Sequence, residues 1–287
     1  MNIHFGPAGN SKSFYDEGGK RSVQMPAWLR ERGLDIYEYS CGRGVNLGLE
    51  TAAEIGRAAR EAGVGVSIHA PYFINFANPD PDKRAKSRDY IYRSAELAGP
   101  LGAQRVVFHP GSTKGMPRAE ALAMALEEMP RLMEELAAQG HGDLWICPET
   151  MGKINQLGDL DEVLALCQCH PKLLPAIDFG HLNARTQGGL KGEEDYARVL
   201  DAMGQALDAD KLQQFHIHFS HIEYTQAGEK QHLTFEDEVY GPFFEPLAVQ
   251  LVRRGLTPWI ICESKDTMAE DALRMKQCYQ KAGGILG

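Results

Sequence analysis

The sequence predicts a single (β/α)8 barrel over residues 1–287. Three observations carry that prediction. Eight short β-rich runs alternate with longer amphipathic stretches, the pattern of parallel strands with helical crossovers. No Gly-rich G-x-G-x-x-G turn follows the first run, as a doubly wound open sheet would favour. From the third run onward, each closes on a histidine or a carboxylate: His69, His109, Glu149, Asp178, His218 and Glu263. A closed barrel gathers those C-terminal strand ends onto one face, where such folds build their sites.

The runs are IHFG from residue 3, DIYEYS at 35–40, VGVSIHA at 64–70 and RVVFHP at 105–110. LWICPE at 144–149, LLPAID at 173–178, FHIHFS at 215–220 and PWIICE at 258–263 complete the set. Most are rich in β-branched and aromatic residues, which fit a pleated, buried surface. Between them, TAAEIGRAAREAG, SRDYIYRSAELAGPLG and RAEALAMALEEMPRLMEELAAQG have helical patterning. In the last of these, Ala119, Leu122, Leu126, Met129, Leu132 and Leu136 follow the spacing of one helical face.

A composition of 43% hydrophobic and 24% charged residues is that of an ordinary soluble globular chain. No apolar run is long enough to cross a bilayer, and no secretory pattern opens the sequence. The six cysteines have no framework spacing, so a reduced cytoplasm is the expected location. A net charge of −9 argues against bulk electrostatic adhesion to nucleic acid, yet leaves room for a local basic cleft. It also suits a chain that holds several divalent cations.

The stretch LLPAIDFGHLNA, residues 173–184, states the problem sharply. A buried apolar strand runs straight into Asp178 and His181, although an unpaired buried charge costs several kcal/mol. Each strand-end residue has an ordinary explanation taken alone. His69 and His109 could be hydrogen-bonded strand ends, and Asp178 could cap the following helix. Six in succession point instead to a metal centre. Imidazole and carboxylate without thiolate suit zinc, manganese or iron, and six such residues exceed what one tetrahedral ion can use. In the seventh run His218 is the expected ligand, with His216 a layer deeper and His221 on the surface or substrate side. His4, His141 and His170 take structural readings, as does the Cys167–His170 cluster, which lacks a second pair.

SIHAPYFIN (67–75), VVFHPGS (106–112), ICPETMGKINQLG (146–158), AIDFGH (176–181), IHFS (217–220) and IICES (260–264) together resemble the endonuclease IV family. These are the family-2 apurinic/apyrimidinic endonucleases of the xylose-isomerase-like barrel superfamily. The resemblance implies zinc, two or three ions with manganese as the alternative metal, and hydrolysis of the phosphodiester 5′ to abasic sites in duplex DNA. No membrane or protein partner is implied. Carried over residue by residue, His69 and His109 would hold one ion, with Glu149 bridging to a second as the central catalytic carboxylate. Asp178, His218 and Glu263 would complete the second, and His181 and His232 would hold a third. Arg43, Tyr72 and Phe73 fall where the family meets the lesion, and Ser112, Lys114, Lys153 and Arg185 lie on loops of the same face. The chain departs from the family in its opening segment and in Glu229-Lys230-Gln231-His232, where the family has Asp-x-His. Glu229 is expected to replace that aspartate, with Lys230 turned outward. The alternative is a metal-dependent sugar isomerase or epimerase of the same superfamily. It would need only Glu149, Asp178, His218 and Glu263, around one ion.

Overall fold

Side-chain alternation along each strand sorts residues between the barrel interior and the helical shell. The computed structural model describes residues 2–113 and 115–286. Its barrel strands are β1 His4–Pro7, β2 Ile36–Ser40, β3 Gly65–His69, β4 Ala103–Phe108, β5 Trp145–Pro148, β6 Ala176–Asp178, β7 His216–Phe219 and β8 Trp259–Cys262. They form two four-stranded parallel sheets, β2-β3-β4-β5 and β1-β8-β7-β6. Narrow parallel bridges close the ring: Ala8 with Glu38 at one seam, and Ile146 with Leu173 and Glu149 with Ala176 at the other. The predicted single barrel is thus two half-barrels meeting at two seams.

Outward residues such as Phe5, Ile177, Ile217 and Ile260 pack under the helices of one half. Ile68, Val106, Phe108 and Ile146 do the same in the other. Inside the barrel the apolar contacts are few. Val107, Cys147, Leu174 and Ala176 form one small cluster, and Ile36, Trp259 and Ile261 another. Polar residues share the interior with them. Arg105 stacks 4.4 Å from the Trp259 ring centroid, while Glu38, Ser67 and His216 are fully buried.

The expected apolar face of the helix Arg118–Ala138 needs correction. Ala121, Ala125, Met129, Leu132, Met133 and Leu136 are buried, whereas Ala119 is exposed and Leu122 and Leu126 are half-buried flanks. The small side chains at 121 and 125 permit close packing. A buried acid, Glu128, turns the helix toward its neighbour Pro81–Leu101, where Arg84 Nε donates to it at 2.9 Å and Arg88 also pairs with it. Apolar spacing alone does not reveal this polar anchor. Elsewhere, the sixth run is shorter than expected, with regular strand only over Ala176–Asp178. No helix among the described residues is long and apolar enough to cross a membrane, and the six cysteines are free thiols.

One glycine governs the β1–β2 seam. A Cβ on Gly6 would lie 1.8 Å from the Ile36 carbonyl oxygen, so the two backbones meet there only without a side chain. Gly6→Ala is therefore expected to destabilise the fold by about 3 kcal/mol, the upper end of ordinary overpacking. Denaturant unfolding measures it; a midpoint equal to wild type would show that the seam yields without cost.

Candidate metal centre

Glu149 follows β5 directly, with its backbone N–H donating to Phe108 O at 3.0 Å and its side chain fully buried. Four imidazoles surround the carboxylate. His69 Nε2 and His109 Nε2 lie 3.1 and 3.2 Å from Oε2, while His218 Nδ1 and His181 Nδ1 lie 3.0 and 3.4 Å from Oε1. Burial alone would push this acid up, but the charge of His218 and hydrogen bonds from His109, His181 and His218 hold it well below the usual carboxylate range. The histidines do not respond alike: burial prevails at His109 and lowers it, whereas the nearby carboxylates raise His181 and His218 well above the usual imidazole range. His69 is pushed up to about 9 because the hydrogen bond and charge of Glu149 overcome its burial.

The donor atoms fall into adjoining groups whose members lie within 4.8 Å of one another. One is His69, His109 and Glu149; a second is Glu149, Asp178, His218 and Glu263; a third is His181, Glu229 and His232. Glu149 belongs to the first two. Asp178 serves two purposes at once. Its Oδ1 accepts from His181 N–H at 2.7 Å, capping the helix Phe179–Arg185, while its buried Oδ2 lies 3.1 Å from His181 Nδ1 without an aligned hydrogen bond, that nitrogen being directed at Thr150 O. Burial raises this acid to about 6, with the charges of Glu263 and Glu149 adding and His181 opposing. A cation would satisfy the orphaned oxygen and the crowded carboxylates together. The donor set, imidazole nitrogen and carboxylate oxygen with no thiolate, fits a hard or borderline divalent ion.

Most of these rings are held from behind. His69 Nδ1 faces Ala70 O at 2.9 Å, His181 Nδ1 faces Thr150 O at 2.9 Å, and His232 Nδ1 faces Ser220 Oγ at 2.9 Å. Each leaves Nε2 turned to the cleft. Such outer contacts choose the tautomer and fix the ring plane of a metal-binding histidine.

The third group rests on a hairpin, Ile222–Thr225 paired with Gly228–His232. Residues three apart on a regular strand point to opposite faces. Here Tyr224 pairs with Glu229 and Glu223 with Gln231, so the ladder skips Lys230 as a bulge. The extra residue restores parity and brings Glu229 and His232 to the same side. Lys230 turns out, its Nζ 2.6 Å from Glu223 Oε1. The hairpin docks on the loop after β5 at Gly152, where a Cβ would lie 2.6 Å from Glu229 Cβ.

A cleft of 370 Å³ opens over these groups, lined among others by Tyr72, Lys153 and Gln156. Tyr72 and Phe73 are 47% and 50% exposed on the rim, their rings 4.8 Å apart, and Arg43 Nε donates to the Tyr72 hydroxyl at 2.9 Å. Lys153 is exposed beside them. Ser112 sits apart from this lining, its hydroxyl 3.3 Å from Asn155 O. Lys114 lies outside the described residues. Arg185 is not free for a phosphate, because its guanidinium binds the carbonyls of Met151, Lys153, Ile154 and Gln156. His221 also departs from expectation. It is buried, stacked 4.7 Å from Phe235 and bonded through Nδ1 to Asp237 O, away from the cleft. Glu38, Ser67, Thr150 and Ser220 escaped the sequence reading although they contact the site histidines or their partners. Only Glu38 carried a signal, as an acid in the middle of a strand.

Comparison with known proteins supports the same grouping. Residues 26–278 match the family model described as xylose isomerase-like TIM barrel. An uncharacterized protein of Methanocaldococcus jannaschii is 29% identical over 96% of this chain and 97% of its own length. A probable endonuclease 4 of Acholeplasma laidlawii is 34% identical over 35% of this chain, a match spanning about a third (34%) of that relative. Among solved structures, endonuclease IV from Thermus thermophilus aligns with a TM-score of 0.66 at 20% identity, covering 91% of this chain and 93% of that one. An Escherichia coli 3-keto-D-glucoside 4-epimerase aligns at 0.69 and 14% identity, covering 97% and 99%. At such identities the structural likeness establishes the fold alone. With the family model matched over most of its length and clusters able to hold a divalent ion at the barrel mouth, the chain belongs to the superfamily of family-2 AP endonucleases and xylose isomerase-like TIM barrels.

Proposed function

We propose that this protein is a zinc-dependent endonuclease that hydrolyses the phosphodiester 5′ to abasic sites in duplex DNA. The observation that carries this reading is that the donor atoms form several adjoining groups rather than one, with His69–His109–Glu149 and His181–Glu229–His232 flanking the Glu149–Asp178–His218–Glu263 ring. A single-ion sugar enzyme would use Glu149, Asp178, His218 and Glu263, and would leave His69, His109 and the His181–Glu229–His232 group without a role. Bound zinc supplies nucleophilic water at neutral pH and positive charge against the developing phosphoryl charge. The chain's own residues divide the remaining work. Glu149 ties two groups together, Lys153 and Arg43 give an acidic protein local positive charge at the rim, and Tyr72 with Phe73 offers apolar surface to an unstacked base step.

A metal-dependent sugar isomerase or epimerase is the second reading, favoured by the compact ring of Glu149, Asp178, His218 and Glu263. Metal content separates the two. Three zinc ions per chain fit the nuclease, and one manganese or magnesium fits the epimerase.

The purified protein is expected to nick a duplex with one abasic analogue on its 5′ side, leaving a 3′ hydroxyl. Glu149→Gln should slow this about 10³-fold or more, as loss of several kcal/mol of metal-supplied stabilisation requires. Near wild-type turnover in that variant, or sugar epimerisation in place of nicking, would sink the proposal.

The third group has its own test. Gly152→Ala removes no donor but drives a methyl into Glu229, so it should release one ion per chain and most cleavage while keeping the other ions. Glu229→Ala should do likewise. Elemental analysis that finds full metal in both variants would remove Glu229 from the ligand set. At the rim, Tyr72→Ala with Phe73→Ala should weaken abasic-duplex binding with metal content intact. Equal affinity in a gel-shift titration would reduce the pair to packing.

A further inference from the structure

Below the cleft lies a fully buried polar layer that none of the three donor groups requires. The register of β2 on β3 sets Glu38 beside Ser67, both pointing into the barrel. Ser67 Oγ donates to Glu38 Oε2 at 2.8 Å. His216 Nε2 approaches the same oxygen at 3.2 Å, and His218 Nε2 approaches Oε1 at 3.0 Å. Among the described residues no Lys or Arg pairs directly with Glu38; its close contacts are two imidazoles and a hydroxyl, with the buried Arg105, in register with Ser67, acting on it only through longer-range charge.

We infer that Glu38 is a positioning residue for the metal centre, holding the His218 ring so that Nδ1 faces the ion while Nε2 keeps its proton. The geometry assigns the two ring nitrogens opposite tasks. Nδ1 looks up at Glu149 Oε1 and Glu263 Oε1, 3.0 and 3.5 Å away, and Nε2 looks down at Glu38. The rings of His69, His181 and His232 are backed by carbonyls or a hydroxyl. His218 alone is backed by a carboxylate that belongs to none of the cleft groups. The approach of Glu38 to Nε2 lies off the ring N–H axis, and neither atom has an aligned hydrogen bond. Coulombic attraction in a low-dielectric interior therefore does the holding. A carboxylate behind a ligand imidazole makes it a stronger donor to the metal, and loss of such a partner elsewhere weakens metal binding about 10- to 100-fold. Ser67 keeps the carboxylate in place, and His216 occupies its second oxygen from the layer below. The role rests on a metal bound at the Glu149–Asp178–His218–Glu263 group, which both functional readings share.

Cobalt loading of Glu38→Gln and Ser67→Ala tests it, with affinity read by chelator competition and the ligand field by visible absorption. Glu38→Gln should bind the same number of ions at saturation, with affinity at one site lowered about 10- to 100-fold and its cobalt bands shifted. Ser67→Ala should move both quantities the same way by less, and it stands alone if Glu38→Gln does not fold. Wild-type affinity and bands in the folded variants would overturn the assignment. So would the loss of one whole ion at saturation, which would place a cation between Glu38, His216 and His218. Neither readout involves DNA or sugar. Absence of abasic cleavage with shifted cobalt bands overturns the nuclease reading alone, and cleavage with unshifted bands overturns the role of Glu38 alone.

Discussion

One buried carboxylate organises the molecule's working face. Glu149 sits at the seam between the half-barrels, where its own residue bridges to Ala176 across the gap. Its four imidazole contacts come from both sides: His69 and His109 from the β2–β5 half, His181 and His218 from the other. A charge taken fully out of water costs several kcal/mol unless it is paired, and here every partner is also a metal-type donor. The arrangement therefore ties the two half-barrels together through the centre itself. The same crowding raises His69, to about 9, along with His181 and His218, whereas burial prevails at His109 and lowers it. A divalent ion entering the centre has to displace the protons of the raised histidines, so metal affinity falls as pH drops below these raised values.

Much of this was legible before any coordinates, for a geometrical reason. In a parallel barrel all strand C-termini share one face, so a histidine or acid at the end of a strand is placed in three dimensions by its position in one. His69, His109, Glu149, Asp178, His218 and Glu263 needed no more than that. Residues whose placement depends on tertiary contacts did not yield. Glu38 lies mid-strand between two tyrosines, and only the β2–β3 register shows what it meets. His221 follows a ligand-bearing strand by two residues, yet the chain has already turned toward Phe235. Arg185 looks like a loop cation in sequence but is consumed by four carbonyls. Leu122 and Leu126 flank the buried face rather than centre it, and the buried Glu128 with its arginine partners lies on that face without any apolar signal.

The hairpin shows how a one-residue change can be absorbed without loss of geometry. Three-residue spacing on a flat strand would send Glu229 and His232 to opposite sides, and the group would not exist. The bulge at Lys230 restores the face. The lysine, which would repel a cation if it turned inward, is neutralised outside by Glu223. The geometry a third group needs, an acid and an imidazole on one face beside His181, is met.

The features that separate one chemistry from another lie at the edge of the barrel. Glu149, Asp178, His218 and Glu263 are common to both readings, because a deep ring of three acids and an imidazole serves any divalent ion. The additional donors come from the ends of β3 and β4, from the helix after β6, and from the hairpin between β7 and β8. That hairpin is held by backbone contact rather than by a core of its own: Ile154 N donates to Ala227 O at 3.0 Å, and Glu229 N to Gly152 O at 3.2 Å. The loop it leans on, residues 151–156, is itself laced down by Arg185. Arg185 thus acts on the third group at a distance, by keeping in place the glycine against which Glu229 rests. The donors that only the nuclease reading uses on this side therefore rest on a loop and a hairpin joined by backbone contacts, whereas the ring common to both readings sits at the strand ends.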